Sequence, residues 1–244
     1  MARHVLATVD STNAHGLRLA SSLDGPTWFL AHAQTAGYGR RARAWASPRG
    51  NFHATLILHP TEPAAEVALR SFAAALALRE ALVALTGLPQ AFALKWPNDV
   101  LLNGGKVAGI LLESQGGPSG HIAHLAIGIG VNLIAAPDPA LIEPGATPPV
   151  TLLQETGLRI TPEQLLAHLA PDYAAWEARF QADGFAPLRT EWLAHAARLG
   201  EIVTARTGTQ IREGRFETIS ASGALVLATP QGRQSISAAE VFFP

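Results

Sequence analysis

Lys95-Trp96-Pro97-Asn98-Asp99-Val100-Leu101-Leu102-Asn103-Gly104-Gly105-Lys106-Val107-Ala108-Gly109-Ile110 sets strand, break, strand, turn and strand in direct succession. Proline has no N–H to donate to a ladder, so Trp96-Pro97 ends the first strand where a lysine, an asparagine and an aspartate gather. Asn103-Gly104-Gly105 has the composition of a tight hairpin turn. The strand beyond it opens on Lys106 and runs into apolar Val107, Ala108, Ile110, Leu111 and Leu112, which puts a lysine at the mouth of a buried strand. Strands are expected at Phe92–Trp96, Val100–Leu102, Lys106–Glu113 and His121–Leu133.

Working outward, Asn51–His59 reads as a strand with Phe52, Ala54, Leu56 and Leu58 on one face and His53, Thr55 and Ile57 on the other. Thr27–Gln34 reads as another strand. Asp10-Ser11-Thr12-Asn13 supplies helix caps ahead of Leu17 and Leu19. Ala64–Leu85 is rich in Ala and Leu, with no Gly or Pro, and is expected as one long helix across a sheet. A Pro- and Ala-rich loop spans 135–149, and helices follow over Pro162–Phe180 and Ala186–Arg198. From Gly200 the texture changes to short strands at Ile202–Thr207, Gln210–Ile219, Ala224–Thr229 and Arg233–Ile236, as in a small β-barrel. The boundary is placed near residues 196–200, dividing a domain over 1–198 from a barrel over 199–244.

A chain of 244 residues with 48% hydrophobic and 15% charged residues buries a core and is not disordered. Its net charge of -1 argues against bulk nucleic acid or an anionic membrane as main partner. The longest apolar run, Phe72–Leu78, is far short of the roughly 18 residues of a membrane span. No signal core opens the chain and it has no cysteine, which suits a cytoplasmic protein.

Against that neutral background, Gly37-Tyr38-Gly39-Arg40-Arg41-Ala42-Arg43-Ala44-Trp45 holds three arginines, with a fourth at Arg49, and no acidic residue occurs between Asp24 and Glu62. Arginine clamps phosphate or carboxylate oxygens bidentately, glycine lets backbone approach an anion, and tryptophan offers a flat face to a ring. A solvated loop or a weak nucleic-acid patch is the plain alternative. The continuation Ser47-Pro48-Arg49-Gly50-Asn51, between two strands, favours a specific site. Gly128-Ile129-Gly130-Val131-Asn132 puts glycines inside an apolar strand, which signals close approach by backbone or ligand, or a structural bulge. Taken alone, Ser11-Thr12-Asn13 reads as simple capping. The nine histidines show no metal-ligand spacing, and no metal site is expected.

Together these segments resemble the biotin–protein ligases, in family order: Asp-Ser-Thr-Asn at 10–13, the arginine loop with Trp45 and Ser-Pro-Xaa-Gly-Asn at 47–51, Lys-Trp-Pro-Asn-Asp at 95–99, Lys106-Val107-Ala108-Gly109-Ile110, and Gly-Ile-Gly-Val-Asn at 128–132. The resemblance implies an α/β (α+β) catalytic domain with a mixed sheet packed with helices, followed by a small barrel like that of Src-homology domains. It implies two reactions. Biotin carboxylate attacks the α-phosphate of Mg-ATP, giving biotinyl-5′-AMP and pyrophosphate. A lysine amine of a biotin carboxyl carrier domain then attacks the mixed anhydride and releases AMP. ATP, Mg2+ and biotin are thus the implied small molecules and the carrier domain the implied acceptor, with no role for DNA or membrane. A homodimer is compatible with the resemblance.

Carried over residue by residue, the resemblance implies that Ser11, Thr12 and Gln34 hold the ureido ring of biotin, with Asn13, Gly37, Tyr38, Gly39, Arg40, Lys106 and Gly109 completing its pocket. Arg40, Arg43, Trp45, Asn98, Lys106 and Asn132 would contact the nucleotide, with Trp45 covering the adenine. Lys106, Arg40 and Asp99 are the catalytic candidates, Asp99 meeting the incoming amine as base or as orienting acceptor. The family loop commonly reads Gly-Arg-Gly-Arg-Arg-Gly-Arg. Here Tyr38 replaces the first arginine, removing a charge, and Ala42 replaces the last glycine, where a left-handed backbone is not expected. About ten residues precede Ser11, fewer than a helix-turn-helix needs, so a form without an N-terminal DNA-binding domain is expected. Alternatives are a lipoate–protein ligase with the same adenylation chemistry, a nucleic-acid-binding protein and a non-catalytic ligand sensor.

Overall fold

A computed structural model describes residues 1–116, 121–138, 142–208 and 210–243. Positions 139–141 of the expected 135–149 loop, and 209 and 244 of the expected barrel, lie outside the described residues. One sheet carries the larger part of the fold. It is built from β1 (Ala2–Leu6), β2 (Thr27–Ala31), β3 (Phe52–Leu58), β4 (Phe92–Lys95), β5 (Asp99–Leu102), β6 (Gly105–Gly116) and β7 (Ile122–Val131), in the order β1-β2-β3-β7-β6-β5-β4. β1 and β2 pair in parallel and every other neighbour antiparallel, so the sheet is mixed.

The alternation seen in β3 decides what covers each face. Phe52, Ala54, Leu56 and Leu58 enter the main core against α3 (Arg70–Thr86) and α5 (Pro162–Asp183). Ile57 turns the other way, with Phe29 and Ala126, beneath α1 (Thr12–Leu19). Both faces of β3 are therefore buried. α5 starts on a reciprocal capping box between Thr161 and Gln164, with Pro162 in the first turn. α6 (Phe185–Ala194) also packs on α3.

The single helix expected over Ala64–Leu85 is two: α2 (Ala64–Val67), then α3 after Ala68 and Leu69. No Gly or Pro marks the break. Tighter bonds replace the helical ladder there, Leu69 N–H to Glu66 O, Ser71 N–H to Ala68 O and Phe72 N–H to Leu69 O. The cause is tertiary. Arg70, almost wholly buried, donates to both carboxylate oxygens of Glu177 on α5 (2.7–3.1 Å) and to Glu62 (2.8 Å). Three elements give no sequence signal: the exposed edge strand β1, the one-turn α4 (Leu152–Thr156) and the last short strand β12 (Glu240–Phe242).

The C-terminal residues form a second, all-antiparallel sheet from β8 (Ile202–Thr207), β9 (Gln210–Ile219), β10 (Leu225–Thr229), β11 (Gly232–Ile236) and β12, in the order β11-β10-β9-β8-β12. Trp96 Nε1 donates to Gly223 O of this region (3.0 Å), tying the Trp-Pro segment to it. No helix among the described residues is long and apolar enough to cross a membrane.

Candidate active site

The sheet face opposite the α3–α5 core, roofed by α1 and by residues 35–48, bears a cavity of about 900 Å³. Every candidate site residue lines it: Ser11, Thr12, Asn13, Gln34, Gly37, Tyr38, Gly39, Arg40, Arg43, Trp45, Asn98, Asp99, Lys106, Gly109 and Asn132.

One part of the lining is a network of neutral groups, tied at Asn13 to the Glu113 carboxylate. The Thr55 hydroxyl, fully buried on β3, donates to Asn13 Oδ1 (2.6 Å) and lies 2.8 Å from Thr12 Oγ1. Gln34 Oε1 accepts from the Thr12 N–H (2.7 Å) and hydroxyl (3.1 Å), and Gln34 Nε2 donates to Ser47 Oγ (2.8 Å). Ser11 caps α1 through Ala14 N–H, so the capping reading holds and the same helix start also faces the cavity. Glycine makes the fit: a Cβ at Gly128 would stand 2.3 Å from Asn13 Oδ1.

The arginine loop is a miniature hairpin. Gly39 N–H bonds Arg43 O (2.8 Å) and Trp45 N–H bonds Gly37 O (2.9 Å). Its tip, Arg41 and Ala42, has φ of 57° at both residues, the two positive values a type I′ turn demands. Ala42 thus adopts the left-handed backbone that its side chain disfavours, a strain of order 1 kcal/mol or more. Tyr38 replaces the family arginine with a neutral link, its hydroxyl donating to Glu113 Oε2 (2.9 Å), which also accepts from Asn13 Nδ2 (2.8 Å). Burial and the adjacent Glu113 carboxylate raise the Tyr38 pKa.

Trp45 lies over the two central strands. Gly109 and Gly130 face each other across β6 and β7, and a Cβ on Gly130 would sit 2.6 Å from the Trp45 ring. These glycines are the slot that receives the indole, which is why a strand otherwise apolar tolerates them.

Charge gathers elsewhere in the lining. The hairpin turn is as expected, with Asn103 and Gly104 both at positive φ. Beyond it a bulge leaves Val107 without a partner between the pairs Leu101–Lys106 and Val100–Ala108, and such bulges re-aim neighbouring side chains. Lys106 Nζ stands 2.7 Å from Asp99 Oδ1. Asn98 mends the ladder broken by Pro97: its amide donates to Ile110 O (2.6 Å), and its carbonyl accepts from Ile110 N–H (2.9 Å). Arg40 reaches Asn98 Oδ1 and Ala239 O, both at 3.4 Å. Burial pulls its pKa down, opposed by Asp99. Arg43 differs from Arg40. It donates to Glu240 (2.6 Å) and Glu143 (3.0 Å), Arg41 donates to Glu240 (2.9 Å), and Arg206 joins both carboxylates.

Sequence reasoning missed Thr55, Glu113, Glu143 and Glu240, and it quoted Ser47 and Lys95 within motifs without giving either a role. Strand alternation carries a signal for two of them: Thr55 faces away from the core set of β3, and Glu113 shares a face with Gly109 and Leu111. Glu240 had no local signal. No group of three His, Asp or Glu among the described residues is placed to hold a metal ion.

Comparison with known proteins places the chain among relatives. Residues 5–132 match the model of the biotin/lipoate A/B protein ligase family, and 199–243 match that of the biotin protein ligase C-terminal domain. A biotin–[acetyl-CoA-carboxylase] ligase of Paracoccus denitrificans is 56% identical over 98% of this chain and 99% of that one. The bifunctional ligase/repressor BirA of Bacillus subtilis is 31% identical over 97% of this chain and 71% of its own length. Among solved structures, the biotin protein ligase from Aquifex aeolicus in complex with biotin and ATP superposes with a TM-score of 0.84 at 27% identity, covering 98% of this chain and 97% of that one.

Proposed function

The chain belongs to the biotin/lipoate A/B protein ligase family, and from that premise we propose how its cavity works as the site of a biotin–protein ligase. The enzyme activates biotin with ATP to biotinyl-5′-AMP, then passes biotin to a lysine of an acceptor protein. The acceptor we assign is a biotin carboxyl carrier domain, and the place of action, where ATP is at hand, the cytoplasm. Residues 1–198 form the proposed catalytic domain and 199–244 the smaller one.

Adenylation brings two anions together. A biotin carboxylate oxygen attacks the α-phosphorus, the bond to the bridging oxygen breaks, and pyrophosphate leaves. Fixed cations in a partly dehydrated cleft offset the repulsion and the developing charge. Arg40, which forms no ion pair among the described residues, and Lys106, aimed inward beside the β6 bulge, take that role. The ureido ring is assigned to the neutral network of Ser11, Thr12 and Gln34, whose donors and acceptors match a cyclic urea. Buried polar groups left unpaired by lipoate disfavour that acid. Trp45 and Asn132 flank the nucleotide. As the substrate is Mg-ATP, a magnesium ion would arrive with the nucleotide and would offset part of the phosphate charge. In the second step the lysine nitrogen attacks the anhydride carbonyl, the C–O bond to AMP breaks, and the amine's proton passes to water. Asp99, held at 2.7 Å by Lys106, suits an orienting acceptor for that amine.

The observation that carries this reading is the convergence of five separated sequence segments, from Ser11 to Asn132, on one cavity with a neutral and a cationic part. Exchange of labelled pyrophosphate into ATP, without acceptor, tests it. Exchange is expected only when biotin is added. Exchange driven faster by lipoate, or none at all, overturns the assignment.

A further inference from the structure

We infer that Lys95 is a further substrate-binding residue of this site, holding the β- and γ-phosphate oxygens of ATP that depart as pyrophosphate. The inference rests on the ligase reading above and goes beyond it, because neither step there used Lys95.

Lys95 ends β4, lines the cavity and is only 7% exposed. Its ammonium donates to Thr147 Oγ1 (2.7 Å) and stands 4.8 Å from the centre of the Phe243 ring. No carboxylate among the described residues forms an ion pair with it, although Asp99 lies directly opposite across β4 and β5. The Asp99 carboxylate has turned to Lys106 instead. A buried ammonium held by one hydroxyl and one ring is under-compensated, and a bound anion would complete it. Burial also lowers its pKa, with Asp99 pulling the other way.

The remaining cations say which anion. Arg41, Arg43 and Arg206 are spent on Glu143 and Glu240. Arg40 and Lys106 are the cations at the acid and α-phosphate, and Lys106 is already balanced by Asp99. The triphosphate brings more negative charge than those two can meet. Among the described residues Lys95, like Arg40, forms no ion pair, and it is the lining cation that the two reaction steps leave unused. Thr147, on the loop whose Pro148 O accepts from Lys106 N–H, adds a hydroxyl beside it.

Calorimetric titration of Lys95→Met and Lys95→Arg with Mg-ATP, pyrophosphate, AMP and a non-hydrolysable sulfamoyl analogue of biotinyl-adenylate tests the assignment. Methionine keeps an unbranched chain one atom shorter over Phe243 without the charge, and a thermal melt checks that the variant folds. Lys95→Met should weaken ATP and pyrophosphate by about tenfold or more, the size of one charge-assisted hydrogen bond, while AMP and the analogue change less than about twofold. Lys95→Arg should recover most of the loss. Equal weakening of all four ligands would make Lys95 merely structural, and unchanged ATP and pyrophosphate binding would remove it from the site. A wild-type protein that binds neither biotin nor ATP would instead defeat the ligase reading itself.

Discussion

In one part of the cavity Thr55, Thr12, Asn13, Gln34 and Ser47 hydrogen-bond chiefly to one another, while in the other Arg40, Lys95, Lys106 and Asp99 form a cluster whose charges are only partly matched. The neutral network is held together before any ligand arrives and fixes its groups in direction, which is what selection of one polar ring requires. Among the described residues the charged cluster keeps Arg40 and Lys95 out of ion pairs, which is what a reaction between two anions requires. A site that must both choose and activate its substrate separates the two tasks in space.

Removing charge should hurt most. Lys106→Ala is expected to slow adenylation on the order of a hundredfold or more, measured as biotin-dependent pyrophosphate exchange. A rate close to wild type would mean that the bulge-aimed lysine does not meet the reacting atoms. Thr55→Val removes one buried hydroxyl from the neutral side and leaves Asn13 Oδ1 without its donor, costing about 1–3 kcal/mol in stability. Its KM for biotin should rise while the KM for ATP stays put. If both rise together, the two parts of the cavity are not independent.

Smaller effects probe what surrounds the two parts. Ala42→Gly relieves a left-handed backbone at the tip of the arginine loop and should stabilise the protein by up to about 1 kcal/mol, read as a higher melting temperature. A drop instead would show that the turn in solution differs from the positive φ seen here. The smallest effect concerns the Asp10 and Arg18 pair beside Ser11. The Arg18 hydrogen bond lowers the Asp10 pKa from 3.8 to about 2. A lowered folded-state pKa gives stability that is full above pH 4 and is lost as pH falls through about 2. The pair is half exposed and screened by solvent, so the contribution is small. Acid unfolding of Asp10→Asn against wild type should show the difference vanishing across that window.

Much of this was legible in the residues. Pro97 ended a strand, Asn103-Gly104 made a hairpin, and the odd and even positions of β3 went to opposite faces. The candidate motifs met in one cavity. Less legible was the helix break at Ala68–Leu69, because Arg70 answers to Glu177, 107 residues away, rather than to its neighbours. The glycines of Gly128-Ile129-Gly130 announced a close approach, but only the folded chain identifies Asn13 and Trp45 as the side chains that approach.

The sequence alone therefore determined the elements, their order and the inventory of chemical groups, since turn chemistry, proline breaks and strand alternation act over a few residues. Which charges neutralise one another was decided in three dimensions. Arg43 is matched by Glu240, 197 positions later, and Asp99 by Lys106 rather than by Lys95 opposite it. Coulomb attraction and desolvation depend on distance through space and on burial, and neither can be read from separation along the chain.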